Sequence, residues 1–164
     1  MRGVRARLRA MVCLTLVLAL CFSLAVVQPA YAGDVTVKDA LDTPLTIYNN
    51  SFEGWLSASA HDGVDMAQNV DIADSQIAYF YIEVTGPGTL SWWLKTDTEN
   101  NFDWFRIYDS SVLQPAYNRS GFNAWARYTY AVPAGSHQIR FAYEKDISID
   151  SGADSVYRSE EHTS

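Results

Sequence analysis

The chain has 164 residues, 12 basic against 19 acidic, and a net charge of −7. An excess of acid repels phosphate backbones, which argues against nucleic acid as a partner. Both cysteines, Cys13 and Cys21, lie near the N-terminus, so the rest of the chain has neither a disulfide nor a cysteine nucleophile or metal site.

The first ten residues carry Arg2, Arg5, Arg7 and Arg9 and no acid. An apolar run of 17 residues follows, from Met11 to Val27, and then Gln28-Pro29-Ala30-Tyr31-Ala32. A basic start, an apolar stretch and a small-x-small site spell a secretory signal peptide over residues 1–32. The competing reading is an uncleaved anchor, since 17 residues sit at the short limit for a membrane span. The expected product is secreted or displayed on the cell surface, with no membrane segment after cleavage. Without the signal, eight bases face 19 acids, a net of −11. About 130 residues remain, enough for one domain with its own core.

Beyond the signal the β pattern begins weakly. Val35-Thr36-Val37 and Leu45–Tyr48 read as short strands, Phe52–Ala60 as extended, and 64–70 as a strand or irregular segment. From Ala78 the alternation is strong. Phe80, Ile82 and Val84 share one face, and Leu90, Trp92 and Leu94 share one face after Gly86-Pro87-Gly88. These runs read as a hairpin or as neighbouring strands. Phe105 and Ile107 mark the core face of 103–108; Ile139, Phe141 and Tyr143 mark that of 137–145, which follows a turn at Pro133-Ala134-Gly135-Ser136. Short strands broken by turn signals, with no helical period outside the signal, predict one all-β domain, an antiparallel sandwich or barrel.

No catalytic template fits. The chain lacks Gly-x-Ser-x-Gly, His-Glu-x-x-His and a phosphate-cradling glycine loop. His61 and His137 read as surface or hydrogen-bonded residues. No catalytic residue and no required cofactor is expected. Three acidic stretches are candidates for a structural calcium site: 97–103, the turn holding Asp62 and Asp65, and the loop holding Asp146, Asp150 and Asp154. The first begins like an EF-hand loop but has Phe102 where glycine is required. Asp62, Asp65, Asp150 and Asp154 are the expected ligands if loops at one end of a sandwich converge on calcium; the alternative is ordinary turn chemistry. Trp93 and Trp104 fall opposite the core residues, where an aromatic ring can stack on the C–H face of a sugar. Burial of both sheet faces, or a covering neighbour, is the alternative.

Residues 61–69 (HDGVDMAQN), 84–95 (VTGPGTLSWWLK) and 132–154 (opening VPAGSHQIRFAYEKD and closing SGAD) resemble a bacterial extracellular jelly-roll module, similar to MAM and concanavalin A-like domains. The resemblance spans roughly residues 38–157. It implies a jelly-roll β-sandwich over 33–157 and a non-catalytic accessory role, binding or spacing, at the N-terminus of a larger exported protein. Neighbouring domains of that protein and a carbohydrate or cell-surface ligand are the implied partners. A small secreted carbohydrate-binding or carbohydrate-active protein is the alternative. The match stops at Arg158. Residues 158–164, RSEEHTS, equal the translation of a common sequencing adapter, AGA-TCG-GAA-GAG-CAC-ACG-TCT. The expectation is therefore a non-native tail and a sandwich without its closing strand.

Overall fold

The computed structural model describes residues 35–48 and 51–164; the signal-peptide reading of 1–32 lies outside the described residues. The described part is an antiparallel β-sandwich. Its strands are β1 (Phe52–Leu56), β2 (Asp65–Asn69), β3 (Ile77–Asp97), β4 (Trp104–Asp109), β5 (Val112–Leu113), β6 (Asn123–Glu144) and β7 (Ser155–Thr163). They join edge to edge in the order β1-β2-β7-β3-β6-β4-β5.

Two very long strands turn this ribbon into two layers. The first half of β3 pairs with the second half of β6, from Ile77↔Glu144 to Gly86↔Gly135. The second half of β3 pairs with the first half of β6, from Gly88↔Val132 to Thr96↔Asn123. Between them the register shifts and both strands bend together. Residues 86–88 and 133–136 are therefore a shared corner, not two hairpin turns. A hairpin turning at Gly86-Pro87-Gly88 would have paired Thr85 with Thr89; each run instead finds its partner on β6. Gly86 is required there, because a Cβ at this position would run into the carbonyl of Pro133.

The first layer holds residues 77–86 of β3, 135–144 of β6, β4 and β5. The second holds β1, β2, β7, residues 88–97 of β3 and 123–132 of β6. The alternation read from the sequence sets the core correctly. Phe80, Ile82, Leu90, Trp92, Leu94, Phe105, Ile107, Ile139, Phe141 and Tyr143 are all buried. Phe141 is the central ring: it meets Phe80 at 5.2 Å from the first layer and Trp92 at 5.5 Å, edge to face, from the second.

Three local expectations change. Val35 makes only a single bridge to Gly54, and a short helix, α1 (Val37–Ala40), follows. Thr36 caps it, its hydroxyl accepting the Asp39 amide at 3.1 Å. Residues 45–48 contribute one bridge, Tyr48 to Tyr81, rather than a strand. The third change concerns the closing strand. It is present: β7 inserts between β2 and β3, and Arg158 through Thr163 provide most of its pairs with β3. Arg158 is fully buried, its guanidinium 3.9 Å from the ring centre of Phe141.

Candidate functional site

The sandwich has two outward faces and two ends. The outer face of the first layer carries the largest set of side chains that the core does not use. Strand pairing lines them up in rows. One row runs Tyr48, Tyr81, Arg140, Tyr108; the next holds Tyr79, Ala142 and Arg106; a third holds Ile77, Glu144 and Trp104. Odd positions of β3 and even positions of β4 and of this half of β6 face outward, so the residues follow from the two-residue strand period.

Apart from exposed Ile77 and fully buried Ala142, these side chains are half-buried against one another. Tyr48 and Tyr81 stack with ring centres 5.0 Å apart and planes 10° apart. The Arg140 guanidinium lies 4.1 Å from the Tyr108 ring centre and 5.5 Å from that of Tyr79. Arg106 lies 5.7 Å from the Trp104 ring and forms an ion pair with Glu144. The Tyr108 hydroxyl donates to the other Glu144 oxygen at 2.5 Å. Burial, reinforced by the Glu144 carboxylate, holds the Tyr108 hydroxyl above its ordinary pKa of 10.0, with Arg106 and Arg140 opposing. The result is a platform of four tyrosines, one tryptophan and two arginines.

Trp104 belongs to this platform; Trp93 does not. Trp93 projects from the second layer, where His61 stacks on it at 3.5 Å and 15°. That ring face is covered. His61 is held in turn by Glu160, 3.1 Å from Nδ1, and Trp125 beside it donates its indole N–H to the Ser59 carbonyl. The two tryptophans singled out from the sequence thus face opposite sides of the sandwich. Period-two alternation places a side chain inward or outward, but not on which sheet.

The acidic residues divide similarly. Asp62 and Asp65 lie in the turn before and at the start of β2, and Asp62 accepts the amides of Val64 and Asp65. Asp154 lies at the other end of that strand, where its carbonyl meets Asn69. Four residue steps of strand separate the two places by about 13 Å. Asp150 and Asp154 both bind Lys145. Burial alone would lower the Lys145 pKa, but these carboxylates outweigh it and raise it.

A tighter oxygen cluster lies at this same end. Glu99, Asp103 and Asp146 have carboxylate oxygens within 4.8 Å of one another. Asp103 is fully buried, accepting the Tyr143 hydroxyl at 3.2 Å and the Asp146 amide at 2.8 Å. Burial is the main cause of raised pKa values at both Asp103 and Glu99. Among the described residues these three have the donor chemistry a hard divalent cation takes. The sequence marked both loops that supply them, 97–103 and 146–154; only the fold selects which members converge.

At the opposite end is a pair the sequence did not reveal. Asp109, at the end of β4, accepts the Tyr130 hydroxyl at 2.6 Å, His137 Nδ1 at 2.8 Å and the Ser110 hydroxyl at 3.0 Å. Burial would raise the Asp109 pKa, but these donors together bring it below 3.8. A pocket lined by Glu83, Ser110, Ser136 and His137 opens beside it. His137 is hydrogen-bonded, as expected; its partner is 28 residues away in sequence, which no local pattern encodes.

No protein-family model matches the sequence, and no curated protein does. Solved structures align with the chain at low identity. The secreted serine protease VesC from Vibrio cholerae aligns with 60% of this chain at 11% identity and a TM-score of 0.52; the aligned part is 21% of VesC. TmCBM61, solved with β-1,4-galactotriose, aligns with 84% of this chain over 99% of its own length, at 12% identity and a TM-score of 0.45. The enzymatically active domain of tailspike protein 4 from bacteriophage CBA120 aligns with 78% of this chain and 20% of its own, at 16% identity and a TM-score of 0.45. The chain spans about a fifth of VesC, and the likeness establishes the β-sandwich fold alone.

Proposed function

We propose that this chain is a non-catalytic, glycan-binding module of an exported bacterial protein, and that the outer face of the first layer is its binding surface. One observation carries the reading: the core uses none of Tyr48, Tyr79, Tyr81, Trp104 and Tyr108, yet the sheet sets them in rows beside two arginines. Aromatic rings at a polar surface offer an apolar face and a hydrogen-bonding edge, which is what a pyranose presents in return. Export follows from the N-terminal 32 residues, and the accessory role from the resemblance of the sequence blocks. The same resemblance favours a position at the N-terminus of a larger secreted or surface protein, with downstream domains as neighbours.

A glycosidase reading of this face is disfavoured by spacing. Among the described residues its carboxylates are Glu83 and Glu144, and Glu83 pairs with Gln138, six residues from Glu144. That is about 20 Å along the strand, against about 5–9.5 Å for the carboxylate pairs of glycoside hydrolysis.

The test is affinity electrophoresis of the full chain through gels containing neutral and acidic polysaccharides. Retardation by at least one glycan is expected. Tyr108→Ala and Trp104→Ala should each abolish most of it, while Trp93→Ala leaves it intact. Absence of retardation across the panel, or loss with Trp93→Ala alone, would refute the assignment.

A further inference from the structure

We infer that the glycan taken by this face is acidic, a uronate-bearing chain whose carboxylate docks on Arg140; the inference rests on the glycan-binding reading above. The starting point is hydrogen bonding. Arg106 pairs with Glu144, Arg119 donates to the Tyr128 hydroxyl and to the carbonyls of Ala116 and Asn118, and Arg127 donates to the Ser91 hydroxyl. Arg140 has no such partner. Among the described residues its side chain makes neither a hydrogen bond nor an ion pair, and its Nε is buried without a hydrogen-bond partner.

The surroundings explain how it stays apart. Its neighbours across the sheet are Tyr81 and Tyr108, and Tyr79 sits diagonally. Two carboxylates share the face: Glu83, diagonal to Arg140 on β3, forms no ion pair with it among the described residues, and Glu144, four residues along β6, has its two oxygens engaged by Arg106 and Tyr108. Gln138, the next outward residue of β6, is neutral. Contact with the Tyr108 and Tyr79 rings restricts the guanidinium before any ligand arrives. A restricted planar fork loses little entropy on meeting a carboxylate, and it matches that group with two parallel hydrogen bonds. Half-buried among rings, its field is also less screened than that of an open surface charge. The row Tyr48–Tyr81–Arg140–Tyr108 spans three strand spacings, about 14 Å, which is longer than one sugar ring. The tyrosines on either side are placed to stack the flanking units, with the acidic ring at the centre.

Polygalacturonate and its fully methyl-esterified form share a backbone and differ in the carboxylate. Titration calorimetry of the full chain with both, and with a neutral galactan, separates the possibilities. Wild type should bind polygalacturonate roughly 10- to 100-fold more tightly than the ester, the range for one hydrogen-bonded charged contact, and the preference should weaken with added salt. Arg140→Gln should bind acid and ester alike, with unchanged circular dichroism. Should that variant not fold, Arg140→Lys carries the test: it keeps the charge, lacks the fork, and should lose most of the preference. Equal affinity of wild type for acid and ester, or a preference that survives both substitutions, overturns the acidic assignment and leaves glycan binding standing. Binding to none of the three overturns both.

Discussion

Tyr130 of the second layer donates its hydroxyl to Asp109 of the first, at 2.6 Å, and both are largely buried. The bond crosses the sandwich beside the shared corner of β3 and β6, and His137 and Ser110 complete the shell around the carboxylate. Tyr130→Phe removes one donor from a buried anion and should cost about 1–3 kcal/mol in urea denaturation at pH 7.

The same site has a pH signature. Asp109 has a folded pKa below its ordinary 3.8, so its contribution is complete above 3.8 and is lost as the pH falls through the lower folded value. The stability gap between wild type and Asp109→Asn should therefore be widest near neutrality and close in strong acid. Denaturation midpoints measured from pH 7 down to pH 2 check this; a gap independent of pH would contradict it.

Glu99 behaves oppositely. Its folded pKa lies above the ordinary 4.5, through burial and the carboxylates of Asp146 and Asp103. A raised acid destabilises the fold while ionised, and that burden lifts as the pH drops through the folded value. Glu99→Gln should raise the thermal midpoint at pH 7, and the variant should gain less than wild type on acidification toward pH 4.5. Differential scanning calorimetry without divalent cations reads both effects. A lower midpoint for the variant at pH 7 would disprove the repulsive account.

Phe141→Ala should be among the most damaging single changes. The ring is fully buried between Phe80, Trp92 and the Arg158 guanidinium. Emptying such a site costs about 3–5 kcal/mol, a large part of a typical domain's stability. Urea titration gives the value directly, and a loss under 1 kcal/mol would mean that the layers close over the gap.

A chain ending at Tyr157 tests β7. It would lose the β3 pairs of Arg158 through Thr163 and the Ala67↔Arg158 pair, leaving Gln68↔Tyr157 as the remaining β2–β7 pair and weakening the hold of the second layer on β1 and β2. A lower melting midpoint and binding of a hydrophobic dye are expected. An unchanged midpoint would mean that residues 158–164 add nothing to the fold, whatever the origin of their codons.

Alternation made much of this molecule legible. Phe80, Ile82, Leu90, Trp92, Ile139 and Phe141 each face the core as their spacing requires, because a strand gives successive side chains opposite directions. The same period sent Trp93 and Trp104 outward. It said nothing of partners. The Gly86-Pro87-Gly88 segment reads as a reversal, and only the pairing of each flanking run with β6 makes it a bend.

By itself, then, the sequence determined composition, acidity, the absence of cysteine beyond Cys21, the β class and the direction of each core residue. These are local quantities, carried by residue type and a two-residue period. Only the tertiary structure decided that Trp93 lies under His61 while Trp104 joins the tyrosine platform, that Glu99 and Asp103 meet Asp146, that Asp109 holds Tyr130 and His137, and that Arg140 stands between tyrosines without an ion pair among the described residues. The reason is distance along the chain: each relationship joins strands or loops far apart in sequence. Strand register and the closure of two layers over one core select such partners, and no short-range pattern records that choice.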